Sequence, residues 1–186
     1  TGTKSDGRPG NSNLSYVFGN GLPKSLKKVT ITKAFVMPGM PGWVTGSALS
    51  GLYDSNVEEL DYTSRNETIY EGTFAALSES VMRLTIRGNV TKIDKNIFYA
   101  NSSVTDIVLP DTVTEIGDSA FIGAPRLKEI SIPNVVTIGA NAFKGCSALT
   151  GIETGDNLVS IGDGAFAGCN KLPQFYTGNK LESIGK

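Results

Sequence analysis

The sequence predicts a solenoid: a right-handed stack of coils made mainly of short parallel β-strands, joined by turns and short helical segments. Two observations carry that expectation. The same wording restarts at a fixed period, and within each period the apolar residues fall in the same few slots. The wording is plainest from Leu127 to Phe166, where Leu127-Lys-Glu-Ile130-Ser-Ile132-Pro133 leads into Val136-Thr-Ile138-Gly139-Ala-Asn-Ala142-Phe143-Lys-Gly145-Cys146 and begins again at Leu149. Starts fall at Leu26, Val57, Val81, Val104, Leu127, Leu149 and Leu172, the last five separated by 23, 23, 22 and 23 residues. Self-similarity at such a period decides the architecture before any single residue does.

Each coil opens on an aliphatic residue followed three and five positions later by further apolar ones: Leu84 and Ile86, Ile107 and Leu109, Ile130 and Ile132. That alternation is a short strand with one buried face. A turn follows, often with proline (Pro110, Pro133), then a second apolar pair such as Val90 and Ile93, Val113 and Ile116, Val135 and Ile138, or Leu158 and Ile161. The far side carries an apolar-aromatic pair, Ile97-Phe98, Ala120-Phe121, Ala142-Phe143 and Ala165-Phe166, before a polar bend returns the chain.

One coil offers about six to eight apolar side chains, at roughly 1.5–3 kcal/mol each when buried. Ordering its backbone costs about 1–2 kcal/mol per residue. A single coil therefore does not fold, whereas stacked coils bury one another's upper and lower faces in a continuous ladder. The phenylalanine props the back of the coil away from the strand and sets its thickness. This is the physical content of a leucine-rich-repeat solenoid, an α/β horseshoe-like stack.

The residues also carry a family likeness. Leu-x-x-Ile-x-Ile-Pro-x-x-Val-x-x-Ile-Gly-x-x-Ala-Phe-x-Gly-Cys resembles the treponemal, or BspA-like, leucine-rich repeats of surface proteins from oral and gut bacteria and some protozoan parasites. The likeness runs from about Val57 to Lys186 and is strongest from Val104 to Cys169. It departs at the front, where the coil from Leu26 carries a long insertion and the coil from Val57 has Asn66 in an aliphatic slot. The resemblance implies a bacterial, secreted or cell-surface adhesion protein.

Composition bounds the partners. Lys plus Arg (17) nearly balances Asp plus Glu (18), a net charge of -1 that offers no field for nucleic acid or an anionic membrane. No apolar run approaches the roughly 20 residues that span a bilayer, so no membrane insertion is expected of this segment. With no initiator Met and no leader pattern at Thr1, the chain reads as a processed or trimmed product. Histidine is absent, which removes the commonest general base and metal ligand. The two cysteines, Cys146 and Cys169, occupy one slot of successive coils. Stacking brings such positions to about 5 Å, near enough for a bridge to be conceivable. The plainer reading is two buried thiols.

Residues 1–25 read as a flexible or capping segment and residues 26–186 as the repeat domain. Thr1 to Pro23 is rich in Gly, Ser and Asn, with one apolar knot at Leu14, Tyr16, Val17 and Phe18. Leu26-Lys-Lys-Val29-Thr-Ile31 is the first strand. After it, Met37-Pro38-Gly39-Met40-Pro41-Gly42-Trp43 interrupts the pattern. It is read either as a cap over the open end, which solenoids need, or as a projecting binding loop around Trp43. The last coil, from Leu172, stops at Lys186 before its Ala-Phe slot, so the natural polypeptide is expected to continue or its end to be covered by another molecule.

Catalytic arrangements are not found. There is no Gly-Lys-Ser/Thr phosphate loop, and Gly117, Gly139, Gly162 and Gly185 recur with the repeat as turns would. Glu58, Glu59 and Asp61, or Asp106 with Glu129, place carboxylates near one another on strand faces, where solvated charge is the simpler account than acid–base work. No catalytic residue, cofactor or metal is assigned. Glycosylation acceptor patterns occur at Asn13, Asn66, Asn89 and Asn101 and matter only in a host with the pathway.

Residues two, four and six places after each start point away from the core. Stacking turns them into stripes that contain Lys28, Glu59, Asp61, Arg83, Arg87, Asp106, Val108, Glu129, Glu153 and Tyr176. These, with Trp43, are the candidate partner-binding residues. The expected function is a non-catalytic adhesion module that recognises a host matrix or microbial surface protein through this face. The alternatives are a spacer that positions another domain, or an accessory domain of a larger surface enzyme.

Overall fold

The computed structural model describes residues 23–34, 49, 52, 55–75, 77, 79–98, 103–122 and 124–186. Twelve strands follow in chain order. The longer ones are β1 (Lys28–Ala34), β2 (Glu59–Ser64), β4 (Arg83–Arg87), β6 (Asp106–Val108), β8 (Glu129–Ile132) and β10 (Gly151–Thr154). Between and after them come the two-residue strands β3 (Thr68–Ile69), β5 (Lys92–Ile93), β7 (Glu115–Ile116), β9 (Thr137–Ile138), β11 (Ser160–Ile161) and β12 (Ser183–Ile184). The long set forms one parallel sheet in the order β1-β2-β4-β6-β8-β10, and the short set a second in the order β12-β11-β9-β7-β5-β3. Each of the five coils that start at Val57, Val81, Val104, Leu127 and Leu149 thus contributes one strand to each wall, and among the described residues the first coil adds β1 and the last β12. The solenoid is present as the period predicted. Its short helical segments are not: among the described residues a helical turn occurs only at Leu49 and Leu52, and the far side is made of turns.

Register explains why the slots repeat. Leu60 lies beside Leu84 and Leu84 beside Ile107, while Ile130 lies beside Ile152. The second wall aligns Ile69, Ile93, Ile116, Ile138 and Ile161 in the same way. The coil starts Val57, Val81, Val104, Leu127 and Leu149 are fully buried, whereas Leu26 and Leu172 at the two ends are only partly covered. Asn66 departs from the aliphatic slot at a bend held by Ser64, whose hydroxyl donates to the Asn66 carbonyl at 3.0 Å and accepts from its amide at 3.0 Å.

The far side is a column of rings. Phe121 and Phe143 stack at 4.9 Å between centroids and Phe143 and Phe166 at 5.3 Å, both pairs nearly parallel. Toward the amino end the column tilts through Phe98 and Phe74 and ends edge-on against Tyr62. Equivalent side chains sit about 4.8 Å apart in stacked strands, so identical rings in one slot are held at stacking distance by the repeat itself.

Backbone geometry adds two features that residue type alone does not show. One slot, occupied by Gly72, Asn96, Ser119, Asn141 and Gly164, is left-handed in each of the five coils from Val57 to Leu149, with φ from 45° to 68°. Gly and Asn tolerate that region best, because other side chains crowd the following carbonyl. The second feature corrects the reading of Gly139, Gly162 and Gly185 as turn glycines. None is left-handed; each lies where the preceding coil's backbone comes so close that a Cβ would stand 2.4–2.6 Å from it. Gly117 is the mildest case, at 3.0 Å from the Ile93 carbonyl oxygen. These residues are small because the coils touch there.

Cys146 and Cys169 are unbridged and buried, and their thiols donate to the carbonyls of Phe121 and Phe143 in the preceding coils at 3.5 and 3.1 Å. Burial pushes the Cys146 thiol up to about 12 and raises Cys169 as well. The unfolded chain releases the Cys146 proton near its ordinary value of 9.0, so this group's stabilisation is complete below about pH 9 and is lost as the pH climbs toward about 12. Tyr62, also raised to about 12 by burial, acts in the same direction. A thiol reagent at about pH 8 is expected to leave Cys146 unmodified until the chain unfolds and to reach Cys169, the less deeply covered of the two, first. Equal and immediate labelling of both would show that the coil is open there.

Candidate functional site

The longer sheet is the larger continuous wall of outward side chains, and its strands position every described candidate residue except Tyr176. In-register pairing sets Lys28 beside Glu59, Glu59 beside Arg83, Arg83 beside Asp106, and Asp106 beside Glu129. Asp61, Thr85 and Val108 run parallel to that row, as do Thr63 and Arg87. Glu153 lies beside Ser131, and the Thr154 hydroxyl bonds the Tyr176 carbonyl, which ties Tyr176 to the end of the same wall. Trp43 lies outside the described residues.

The wall divides by charge. In its amino-terminal half every predicted charge is paired. Lys28 meets Glu59 at 3.2 Å, Arg83 meets the other oxygen of Glu59 at 3.0 Å, and Arg87 reaches Asp61 at 2.8 Å. The hydrogen bond to Asp61, reinforced by its charge, raises the Arg87 guanidinium further above its ordinary value. These pairs are open to water, which screens them, so they matter more for shaping the face than for stability.

The alternation stops at Arg83. Its guanidinium bonds Glu59 and not Asp106, which instead accepts from the Thr105 hydroxyl at 2.6 Å. Asp106, Glu129 and Glu153 form no ion pair among the described residues. Ser131 donates to Glu153 at 2.8 Å. The three carboxylates edge a shallow depression of about 400 Å³ that Val108, Ser131 and Gly151 also line, while Ile107, Ile130 and Ile152 beneath it turn their side chains into the core. Val108 and Tyr176, 55% and 61% exposed, are apolar surface on the same half of the wall.

One row was not foreseen. The residue just after each coil start also faces solvent: Lys27 and Glu58 pair there at 2.5 Å, Met82 is 45% exposed, and Lys128 is exposed. These positions precede the strands, so the alternation that assigns inward and outward faces does not reach them.

The second wall is plainer. Its outward row is Thr68, Lys92, Glu115, Thr137, Ser160 and Ser183, with Lys92 and Glu115 paired at 2.6 Å. That hydrogen bond to Glu115 raises the Lys92 ammonium. A broad hollow of about 590 Å³ runs along it. Its carboxylates serve the join between coils: Asp118 accepts from the Ala140 amide at 2.8 Å and Asp163 from the Lys186 amide at 3.0 Å. No cluster of His, Cys, Asp or Glu among the described residues is arranged to hold a metal, and none of their helices is long and apolar enough to cross a membrane.

Comparison with a known sequence family agrees with this architecture. A sequence profile described as a BspA type leucine rich repeat region matches residues 50–150 and 122–186 in 6 copies. The crystal structure of the T. pallidum leucine-rich repeat protein is 20% identical, covers 87% of this chain and 94% of its own, and superposes with a TM-score of 0.47. A leucine-rich repeat protein from Bacteroides ovatus is 17% identical over 89% of this chain and 68% of its own, with a TM-score of 0.34. No curated protein matches.

Proposed function

The chain belongs to the BspA-type leucine-rich repeat family, and from that premise we propose that it is a non-catalytic protein-binding module of a secreted or cell-surface adhesion protein. The family points to protein interaction; the finer reading is ours. It takes residues 26–186 as the binding domain, with 1–25 as a flexible or capping segment, and a host matrix or microbial surface protein as the partner.

The observation that carries it is the in-register wall from β1 to β10. Six strands align outward rows at a repeat of about 4.8 Å, a spacing that lets an extended partner meet several coils at once. The wall is open and flat, and its acid groups have no opposed partner across a cleft as a hydrolase requires. With no histidine in the whole chain, general acid–base chemistry has little to draw on.

Immobilised protein, challenged with soluble matrix and microbial surface proteins, is expected to retain a partner. The combined variant Arg83→Glu, Arg87→Glu and Tyr176→Ala is expected to weaken that binding about tenfold or more, with circular dichroism unchanged. Undiminished binding removes the wall from consideration. If nothing is retained, the spacer or the accessory-domain reading takes its place.

A further inference from the structure

Resting on the reading of the wall as a protein-binding surface, we propose that its carboxyl-terminal half docks a basic, extended segment of another protein. One lysine or arginine side chain of that segment lies over Gly151, with its cation among Asp106, Glu129 and Glu153.

Charge complementarity selects the partner. The amino-terminal half is neutralised internally: Lys28, Arg83 and Arg87 are held by Glu59 and Asp61. The other half presents three carboxylates on three successive strands, and the exposed Lys128 beside them pairs with none. Facing potentials of opposite sign favour encounter and set register.

Shape and polarity narrow the choice further. Along the row Lys28, Glu59, Arg83, Asp106 and Glu129, the next position is Gly151, so a side chain is missing where the depression lies. This gap is not demanded by packing: a Cβ on Gly151 would meet only the Glu129 side chain, at 3.6 Å, an ordinary contact, and the backbone is not left-handed. Exposed Val108 and Tyr176 supply apolar surface nearby. Carboxylates edging a depression that exposed Val108 also lines suit an amphipathic cation whose methylene stem lies against Val108 while its charged head meets oxygen. A bare metal ion is a poorer fit, since these acids form no ligand cluster.

The test uses the full chain and two labelled peptides, a Lys-Gly repeat and the matching Glu-Gly repeat, read by fluorescence anisotropy at about 0.15 M salt, where long-range attraction is largely screened. The Lys-Gly peptide is expected to bind at least tenfold more tightly. The triple variant Asp106→Asn, Glu129→Gln and Glu153→Gln is expected to abolish that preference. Gly151→Gln, which fills the depression and leaves every charge in place, is expected to weaken the Lys-Gly peptide several-fold. The pair Lys92→Gln with Glu115→Gln, which face each other on the second wall and are neutral in sum, is expected to change nothing. Equal binding of the two peptides overturns the inference, as does undiminished Lys-Gly binding by either the triple variant or Gly151→Gln. If the triple variant still retains the partner that Arg83→Glu, Arg87→Glu and Tyr176→Ala releases, the wall remains a binding surface and this assignment alone falls.

Discussion

Replacing Phe143 with alanine is expected to lower the free energy of unfolding by about 3–5 kcal/mol, the range for emptying a fully buried phenylalanine site. The ring is completely covered and stacked on both faces, at 4.9 Å by Phe121 and at 5.3 Å by Phe166. Such pairs add about 0.5–1.5 kcal/mol beyond area burial. The neighbours cannot collapse into the space, because each is fixed in its own coil by strand pairing on both walls. Phe166, half-buried near the end of the stack, gives the internal control: its alanine variant is expected to lose about half as much. Urea denaturation followed by circular dichroism measures both. Because each coil touches only its neighbours, the Phe143→Ala transition is also expected to broaden as the coils after it decouple. A loss below about 1.5 kcal/mol would mean that the column of rings is not what separates the walls.

Two glycines are expected to respond to alanine with opposite signs. At Gly162 a Cβ would stand 2.4 Å from the Ala140 nitrogen and 2.7 Å from the Gly139 carbonyl carbon, both backbone atoms of the coil before. Alanine stiffens the unfolded chain and so gains about 0.4–1 kcal/mol where the native conformation accepts it. Forcing apart two paired backbones costs about 1–3 kcal/mol or more. The clash wins, and Gly162→Ala is expected to destabilise by about 2 kcal/mol. At Gly151 the contact is an ordinary one with a flexible side chain, the clash vanishes, and Gly151→Ala is expected to be neutral or to stabilise by up to about 1 kcal/mol. Thermal melts of the two variants decide it. If Gly162→Ala were as stable as the parent, the coils would not be in contact at that slot.

What residue types alone determined is the stack. The period, the aliphatic starts and the recurring Ala-Phe pair require coils that bury one another, since no coil has enough apolar surface to fold alone, and the aligned registers of both walls follow. The outward rows were legible for the same reason: alternation in a strand is a property of the chain itself. Tertiary structure decided the rest. Gly72, Asn96, Ser119, Asn141 and Gly164 share a left-handed backbone that their unlike side chains conceal. Gly139 and Gly162 are glycine because of neighbours 21 to 23 residues away in sequence, an approach visible only once the coils are stacked. Arg83 stands in register between two acids, Glu59 and Asp106, and sequence cannot say which it takes; its bond to Glu59 leaves Asp106, Glu129 and Glu153 without a cation among the described residues. The period acts along the chain and can be read from it. Contacts between coils, and the choice among competing ion pairs, depend on distances that exist only after folding.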